Sequence, residues 1–246
     1  GCPSAGRGAR SGACHLPAPG MSRPLALLRP EPGWSASAAA ARAAGLEVVG
    51  HALFAAEAVH WQLPAGPFDA LLAGSGAAFR LGGEGLASLT SLPVYAVGDA
   101  TAEAARAAGF KVARTGEGGL QQLLDGAAGK PLRFLRLAGE ARVDLTPRPG
   151  QTVTERVVYR MAPVPIGIDF AEEIRRTKPI VALHSAAAAA HFAQELERLG
   201  IARGELTVLA LGTRIAEIVG PGWAALHIAD RPSDAALLAK AASLCK

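Results

Sequence analysis

The chain has 246 residues, of which 50% are apolar, 5% aromatic and 19% charged, and its formal net charge is +4. So high an apolar content with so low a net charge excludes a wholly disordered protein, and no uncharged apolar run reaches the roughly 18 residues that span a bilayer. The 29 glycines follow no three-residue period, which excludes a collagen-like protein.

The first 20 residues differ from the rest of the chain. They contain two Arg, no acidic residue and no hydrophobic periodicity, and Met21 follows them. We therefore expect residues 1–20 to be a tail upstream of the natural start, without the apolar core of a secretory signal. Without this tail the net charge falls to +2 and Cys245 is the one remaining cysteine. We predict no nucleic-acid-binding stripe, no disulfide framework and a cytoplasmic location.

Short apolar runs alternate with alanine-rich segments from residue 25 onward. Most of the runs are continuously apolar, which is typical of strands buried on both faces of a parallel sheet, and the segments between them have helix-forming composition. In chain order we predict strand 25–28, helix 35–44, strands 69–73 and 94–97, helix 101–108, strand 111–114, helix 119–128, strands 133–137 and 180–183, helix 187–199, strand 207–211, helix 214–219, strand 225–228 and helix 234–244. This alternation predicts an α/β protein.

Three pairs of segments are similar to each other at offsets of 107 to 114 residues: 71–75 with 181–185, 92–98 with 206–212, and 24–29 with 131–136. The motif at 24–29 precedes all the other strands, but its copy at 131–136 follows the other strands of the middle segment. We therefore predict two similar parallel-sheet α/β domains joined by a two-stranded linker, with the second domain inserted into the first. Chance similarity between alanine-rich segments is the alternative.

The predicted domain boundaries follow from this arrangement. Domain one comprises residues 21–50 and 163–246, the two linker strands lie at 51–61 and 153–162, and domain two comprises residues 62–152.

Residues suited to anion binding follow four of the predicted strands. Ser75 and Ser185 can cap the next helix, and Gly98 and Gly212 permit a tight turn before it. Open α/β sheets bind ligands at this edge, where backbone N–H groups and helix dipoles attract anions. Plain helix capping is the alternative for both serines.

Other kinds of site find little support in the sequence. Residues 74–79 begin like a dinucleotide-binding fingerprint, but Phe79 occupies the position of the third glycine. The histidines are scattered, no Cys/His cluster has zinc-ligand spacing, and Ser185 lacks the flanking glycines of a nucleophile elbow. We therefore predict no metal.

Arginine and tyrosine side chains supply further candidates. Arg29, Arg136 and Arg142 lie at or just after strand ends, where a guanidinium either binds a substrate carboxylate or is solvated. Tyr159 lies in a β-prone run of the second linker strand, so it either faces a ligand or packs at an interface. The residues alone leave both alternatives open.

Several short motifs resemble, in order and spacing, those of the uroporphyrinogen-III synthase family over residues 22–246. They are Leu-Leu-Arg-Pro-Glu-Pro-Gly at 27–33, Ala-Val-Gly-Asp-Ala-Thr-Ala-Glu at 96–103, Val-Val-Tyr at 157–159, His-Ser at 184–185, Ala-Leu-Gly at 210–212 and Arg-Pro-Ser-Asp-Ala-Ala-Leu-Leu at 231–238. The fold of that family, two α/β domains joined by a two-strand ladder, agrees with the arrangement that the repeats predict.

The resemblance implies a hydro-lyase that needs no cofactor. Its substrate would be hydroxymethylbilane, a linear tetrapyrrole with eight carboxylates. The implied reaction expels the terminal hydroxyl as water to give an azafulvene cation, inverts ring D through a spiro intermediate and closes the macrocycle to uroporphyrinogen III of the haem pathway. The protein has to help protonate the leaving oxygen and to hold the chain so that inversion outruns direct closure. The implied partners are this substrate and the neighbouring pathway enzymes, with no nucleic acid and no membrane.

The resemblance also assigns site residues. Tyr159 matches the family's tyrosine that assists loss of the hydroxyl, so it is the predicted catalytic residue, and Thr101 matches a threonine near the site. The predicted substrate-binding residues are Arg29, Ser75, Gly98, Thr101, Arg142, Ser185, Gly212, Thr213 and Arg214.

One departure from the family keeps a second function open. Where many relatives carry a Thr-Thr pair after the glycine of the last junction, this chain has Thr213-Arg214-Ile215, so one hydroxyl is missing. The alternative is a non-catalytic two-domain protein that binds an anionic small molecule or regulates in response to it. Turnover, as against stabilisation by the ligand alone, distinguishes the two functions.

Overall fold

A computed structural model describes residues 23–129 and 131–245 of the chain. The predicted tail, residues 1–20, lies outside the described residues.

Strands and helices alternate along most of the described chain. In chain order the elements are β1 (Leu25–Leu27), α1 (Gly33–Ala43), β2 (Val48–Gly50), β3 (Phe54–Ala58), β4 (Ala70–Ala73), α2 (Ala77–Leu81), a 3₁₀ helix (Gly83–Leu89), β5 (Val94–Val97), α3 (Asp99–Ala107), β6 (Val112–Gly116), α4 (Gly119–Asp125), β7 (Leu132–Gly139), β8 (Gln151–Pro163), α5 (Ile168–Thr177), β9 (Ile180–Leu183), α6 (Ala186–Leu199), a 3₁₀ helix (Arg203–Glu205), β10 (Thr207–Ala210), α7 (Thr213–Val219), β11 (Ala225–Ile228) and α8 (Asp234–Leu244).

The described residues separate into two compact units, each built on one sheet. The first unit comprises residues 23–28, 34–51 and 167–245, and the second comprises residues 29–33 and 52–166.

The sheet of the first unit has five strands in the order β11-β10-β9-β1-β2, and every neighbouring pair is parallel. All residues of the central strands β1, β9 and β10 are buried, because helices cover both faces of the sheet. On one face Leu25 and Ile180 pack against Ala38 of α1 and Leu237 of α8.

The sheet of the second unit has six strands in the order β3-β8-β7-β4-β5-β6. All of its neighbouring pairs are parallel except β3 with β8, which are antiparallel. Side chains alternate between its faces: Leu71 and Leu135 join the core that contains Phe79 of α2, whereas Leu72 and Phe134 join the core under α4.

The structure confirms the predicted α/β class with mainly parallel sheets. Each predicted strand and helix is present, with ends displaced by three residues or fewer. The prediction missed β2 and α5, and it gave no bounds for α2, the helix expected after Ser75. Segment α5 carries a helical pattern of buried residues, Phe170, Ala171 and Ile174, that the sequence does show, whereas α2 is flanked by glycines that obscure it.

Strand β3 lies within the first segment predicted as a linker, 51–61, and strand β8 covers the second, 153–162, and extends beyond it at both ends. Strand β8 runs for 13 residues, pairing with β7 along its first part and with β3 between Tyr159 and Pro163. Within the described part of the chain, no helix has both the length and the apolar character needed to cross a membrane.

Phe134→Ala tests the core under α4. The Phe134 side chain is fully buried and meets the ring of Tyr95 edge-on, with the ring centroids 5.3 Å apart. We expect the free energy of unfolding of the second unit, measured by urea denaturation, to fall by about 3–5 kcal/mol, because the substitution leaves a cavity. Val143→Ala, at a side chain that is 72% exposed, is the control and should change it by less than about 0.5 kcal/mol. Equal effects of the two substitutions would contradict this account of the core.

Candidate functional site

A buried arginine on β7 lies opposite a glutamate on β8. Arg136 and Glu155 are Cα partners in the parallel ladder, and Arg136 is only 3% exposed. Nη1 of Arg136 donates one hydrogen bond to Oε1 of Glu155 and another, of 2.8 Å, to the carbonyl oxygen of Val143. A charged side chain this deeply buried needs a partner of opposite charge, and Glu155 provides it.

A second arginine shares the same carboxylate. Nε of Arg142 donates to Oε2 of Glu155 at 2.9 Å, and Nη1 of Arg142 donates to the carbonyl oxygen of Glu140 at 2.9 Å. These bonds fasten the segment after β7 to the sheet. We call these three side chains the arginine cluster. Two guanidinium groups and one carboxylate give it a net charge of +1.

The Glu155 carboxylate is ionised more readily than an ordinary glutamate. Burial opposes its ionisation, but hydrogen bonds and charge attraction from Arg142 and Arg136 outweigh burial, so the pKa of Glu155 lies below its usual value. The cluster therefore keeps its ion pairs throughout the neutral pH range.

Tyr159 is held at a local irregularity of the same two strands. Ala138 pairs with Val157 but Gly139 pairs with Tyr159, so Val158 is an extra residue, and it is fully buried in the core. The ring of Tyr159 lies directly over Gly139: a Cβ on Gly139 would lie 2.8 Å from the phenolic oxygen and 2.7 Å from ring atom Cζ. Only glycine leaves room for the ring in this position.

Tyr159 and the arginine cluster meet at one cavity of about 460 Å³ in the second unit, which we call the Tyr159 cavity. Arg136, Arg142 and Tyr159 line it together with Gly74, at the end of β4, and Leu120 of α4. Within residues 23–129 and 131–245 the phenolic oxygen of Tyr159 has no hydrogen-bond partner. A phenol available for bonding thus lies in a cavity of positive charge.

Three more of the predicted residues lie along the same sheet edge. Strands β7, β4 and β5 are neighbours, so Ser75, which follows β4, and Gly98, which follows β5, lie along the edge at which β7 ends with Gly139. Oγ of Ser75 accepts a 3.2 Å hydrogen bond from the N–H of Ala77, and Gly98 precedes α3 with a φ of +74°, which favours glycine. Thr101 is buried in the first turn of α3. Gly98 and Thr101 do not line the Tyr159 cavity.

The remaining predicted residues follow strands of the first sheet. Ser185 follows β9 and caps α6, its Oγ accepting a 3.1 Å hydrogen bond from the N–H of Ala188. Gly212 follows β10, and the exposed Thr213 and Arg214 begin α7. Arg29 follows β1, and its guanidinium lies against the Cα of Gly33, so that a Cβ there would collide with it.

Sequence reasoning missed one polar contact of the first unit and part of the cavity of the second. His184 bonds through Nε2 to Oδ1 of Asp234 at 2.8 Å, and Oδ2 of Asp234 accepts from Oγ of Ser37 at 2.7 Å. Glu155 is not among the predicted site residues, and the prediction for Arg136 allows either carboxylate binding or solvation. The available signal was an arginine inside an apolar run that predicts a buried parallel strand, since such a residue requires a charged partner.

No group of three or more His, Cys, Asp or Glu side chains among the described residues is arranged to hold a metal ion.

Comparisons with known proteins bear on the site's function. The family described as HEM4, Uroporphyrinogen-III synthase HemD, matches residues 35–239. The uroporphyrinogen-III synthetase of Helicobacter pylori is similar in structure, with a TM-score of 0.57 and 20% identity over 90% of this chain and 99% of that chain. The wild-type uroporphyrinogen III synthase of Thermus thermophilus has a TM-score of 0.39 and 18% identity over 90% of this chain and 97% of that chain. No curated protein matches the sequence closely enough to count as a relative. The Helicobacter likeness shows a shared fold.

Glu155→Gln tests the ionisation of the arginine cluster. Because the pKa of Glu155 is lowered in the folded state, its ion pairs contribute stability above the unfolded-state pKa, about 4.3. That contribution is lost as the pH falls through the lower folded-state pKa. We expect the substitution to reduce the free energy of unfolding by about 1–3 kcal/mol near pH 7 and by progressively less in acid. Urea denaturation from about pH 7 to about pH 3 measures the difference. A difference that is independent of pH would contradict the account.

Proposed function

Since the chain belongs to the uroporphyrinogen-III synthase family of haem biosynthesis, we propose that it cyclises hydroxymethylbilane with loss of water and inversion of ring D. The observation that carries this function is the family match over residues 35–239, which includes strands of both sheets. The Tyr159 cavity supports it, because a phenol and two guanidinium groups are suited to a substrate that has a leaving hydroxyl and many carboxylates.

Tyr159 is the proposed catalytic residue. The phenolic O–H of a tyrosine can donate a hydrogen bond to the departing hydroxyl oxygen. The pyrrole nitrogen supplies the electron pair that breaks the carbon–oxygen bond, and the oxygen leaves as water after gaining a proton. Ring closure later releases one proton from the attacking pyrrole carbon, so the whole reaction loses water alone.

The proposed substrate-binding residues lie at strand ends of both sheets. In the second unit, Arg142 lines the Tyr159 cavity, Ser75 follows the lining residue Gly74, and Gly98 precedes α3. Thr101 is buried, so in this proposal it positions the first turn of α3. The other members of the proposed set are Arg29, Ser185, Gly212, Thr213 and Arg214.

The two units are the proposed domains, the second inserted into the first. The chain leaves the first sheet after β2 and returns to it at β9, having formed every strand of the second sheet in between. The antiparallel pair of β3 and β8 supports a two-stranded linker at 51–61 and 153–162. The proposed location is the cytoplasm, and the proposed partners are the tetrapyrrole substrate and the enzymes before and after it in the pathway.

Product isomers test the function directly. The protein is incubated with freshly prepared hydroxymethylbilane and the products are separated, with buffer alone as the control. We expect uroporphyrinogen III at a rate above that of spontaneous closure. Only the symmetric isomer, formed at the rate seen without protein, would overturn the proposal. Stabilisation of the protein by the substrate without turnover would favour the non-catalytic binding protein.

Tyr159→Phe is expected to lower kcat by about 10²-fold, because it removes the proton donor for the leaving oxygen. The chain contains two tyrosines, and Tyr95→Phe is the matched control, since Tyr95 packs in the core under α4. Steady-state kinetics and thermal unfolding are measured for both variants. An unchanged kcat in Tyr159→Phe would assign Tyr159 to packing.

Gly139→Ala is expected to lower kcat by displacing the ring of Tyr159, since the new Cβ would lie 2.8 Å from the phenolic oxygen. If displacement is the cause, combining it with Tyr159→Phe adds little further loss, because both act on the same hydroxyl. Gly167→Ala is the control, since no atom lies within 4 Å of a Cβ at Gly167. Losses in kcat that multiply in the double variant would contradict the proposed role of Gly139.

A further inference from the structure

We propose that Arg136 binds the substrate. The edge of its guanidinium group formed by Nε and Nη2, which has no partner in the described chain, would bind a carboxylate on the pyrrole that carries the leaving hydroxyl. The inference rests on the proposed function and adds to it the residue that holds this pyrrole beside Tyr159.

The first argument is the pattern of hydrogen bonds around Arg136. Both of its bonds, to Glu155 and to the Val143 carbonyl, leave from one nitrogen, Nη1. Its Nε is buried and has no acceptor within the described part of the chain, and no acceptor there meets Nη2. The Nε–H and one Nη2–H of a guanidinium are parallel, and together they form the fork that binds the two oxygens of a carboxylate.

The second argument is the cost of leaving this edge unpaired. A buried N–H without an acceptor destabilises a protein by about 1–3 kcal/mol, and most such groups are paired. The strand position of Arg136 and its two bonds through Nη1 nevertheless hold it in place. Because Arg136 also lines the Tyr159 cavity, a carboxylate that enters the cavity supplies the missing acceptor after a small shift of the guanidinium, whose Nε is itself buried.

The third argument is charge. Glu155 neutralises one of the two guanidinium groups, so the arginine cluster keeps a net charge of +1, which suits one carboxylate. The cavity of about 460 Å³ is of a size to hold one substituted pyrrole ring rather than four. Tyr159 lines the same cavity, so a ring whose carboxylate bonds Arg136 can place its hydroxymethyl group against the phenol.

A purely structural role for Arg136 gives different expectations. In that case Arg136, Glu155 and Arg142 would only fasten residues 140–143 to the sheet. Weakening the cluster would then lower stability while leaving the affinity for carboxylates unchanged or lower. If Arg136 binds substrate, Glu155 competes with the substrate for positive charge, and removing its charge has to increase the affinity.

The experiment measures binding of uroporphyrinogen III, kept reduced under nitrogen, by equilibrium dialysis, together with the kinetics of hydroxymethylbilane turnover. Arg136→Lys keeps the charge and loses the fork, so we expect Kd and KM to rise about tenfold, with a smaller change in kcat. The matched control is Arg133→Lys. Arg133 lies on the same strand and pairs with Asp69, but it is 49% exposed and outside the cavity, so Kd and KM should stay unchanged.

Glu155→Gln tests the arginine cluster as a whole, Arg142 included, even if Arg136→Lys fails to fold. It raises the net charge of the cluster, so Kd for uroporphyrinogen III is expected to fall about threefold at low salt and to show a steeper dependence on salt. A folded Arg136→Lys protein with unchanged Kd, or a Glu155→Gln protein with unchanged or weaker binding, would overturn the inference. If either of these results is found but the wild-type protein forms uroporphyrinogen III, the proposed function still stands. If the wild-type protein neither binds uroporphyrinogen III nor converts hydroxymethylbilane, both the inference and the proposed function are overturned.

Discussion

The double pairing of strand β8 is the constraint on which the candidate site depends. At Tyr159 the parallel ladder with β7 ends opposite Gly139 and the antiparallel ladder with β3 begins opposite Ala58. The carbonyl oxygen of Tyr159 accepts a 3.0 Å hydrogen bond from the N–H of Glu140, and that of Val158 accepts one of 3.0 Å from Val59. The backbone is therefore fixed from both sides. The side chain of Tyr159 therefore needs no hydrogen bond to stay in place, and its phenolic oxygen remains available to a ligand.

The same pairing explains how a charge is tolerated inside the sheet. Because β7 and β8 run parallel in register, Arg136 and Glu155 project next to each other from the same face. A one-residue shift of register would place Arg136 beside Thr154 or Arg156 and leave its charge without a partner of opposite sign. The ion pair thus contributes to the choice of register. After the charged segment of β8, the extra residue Val158 again places an apolar side chain in the core.

Sequence reasoning was most successful where a single local pattern determines the structure. Apolar runs such as Val94–Val97 and Ile180–Leu183 matched their strands residue for residue, since a strand covered on both faces has to be apolar throughout. Strand β2, of three residues with none fully buried, carries little such signal. The placement of predicted residues at strand ends followed from parallel topology. The sequence did not predict which of these residues share a cavity. This depends on the register of β7 with β8 and on the position of the extra residue Val158, and no short sequence motif indicates either of them.

Local charge, rather than net charge, explains how this chain could bind a polyanion. The arginine cluster places a net +1 in a partly enclosed cavity, where each charge interacts more strongly than on an open surface. Other arginines are neutralised in pairs: Asp69 pairs with Arg133, whose hydrogen bonds lower the pKa of that carboxyl to about 2, and Asp125 pairs with Arg148. Pairing these exposed arginines leaves them little attraction for carboxylates. In the proposed function, the incompletely balanced charge of the arginine cluster attracts a carboxylate of the substrate. Position within the sheet, as well as the number of basic residues, then determines where an anionic pyrrole binds.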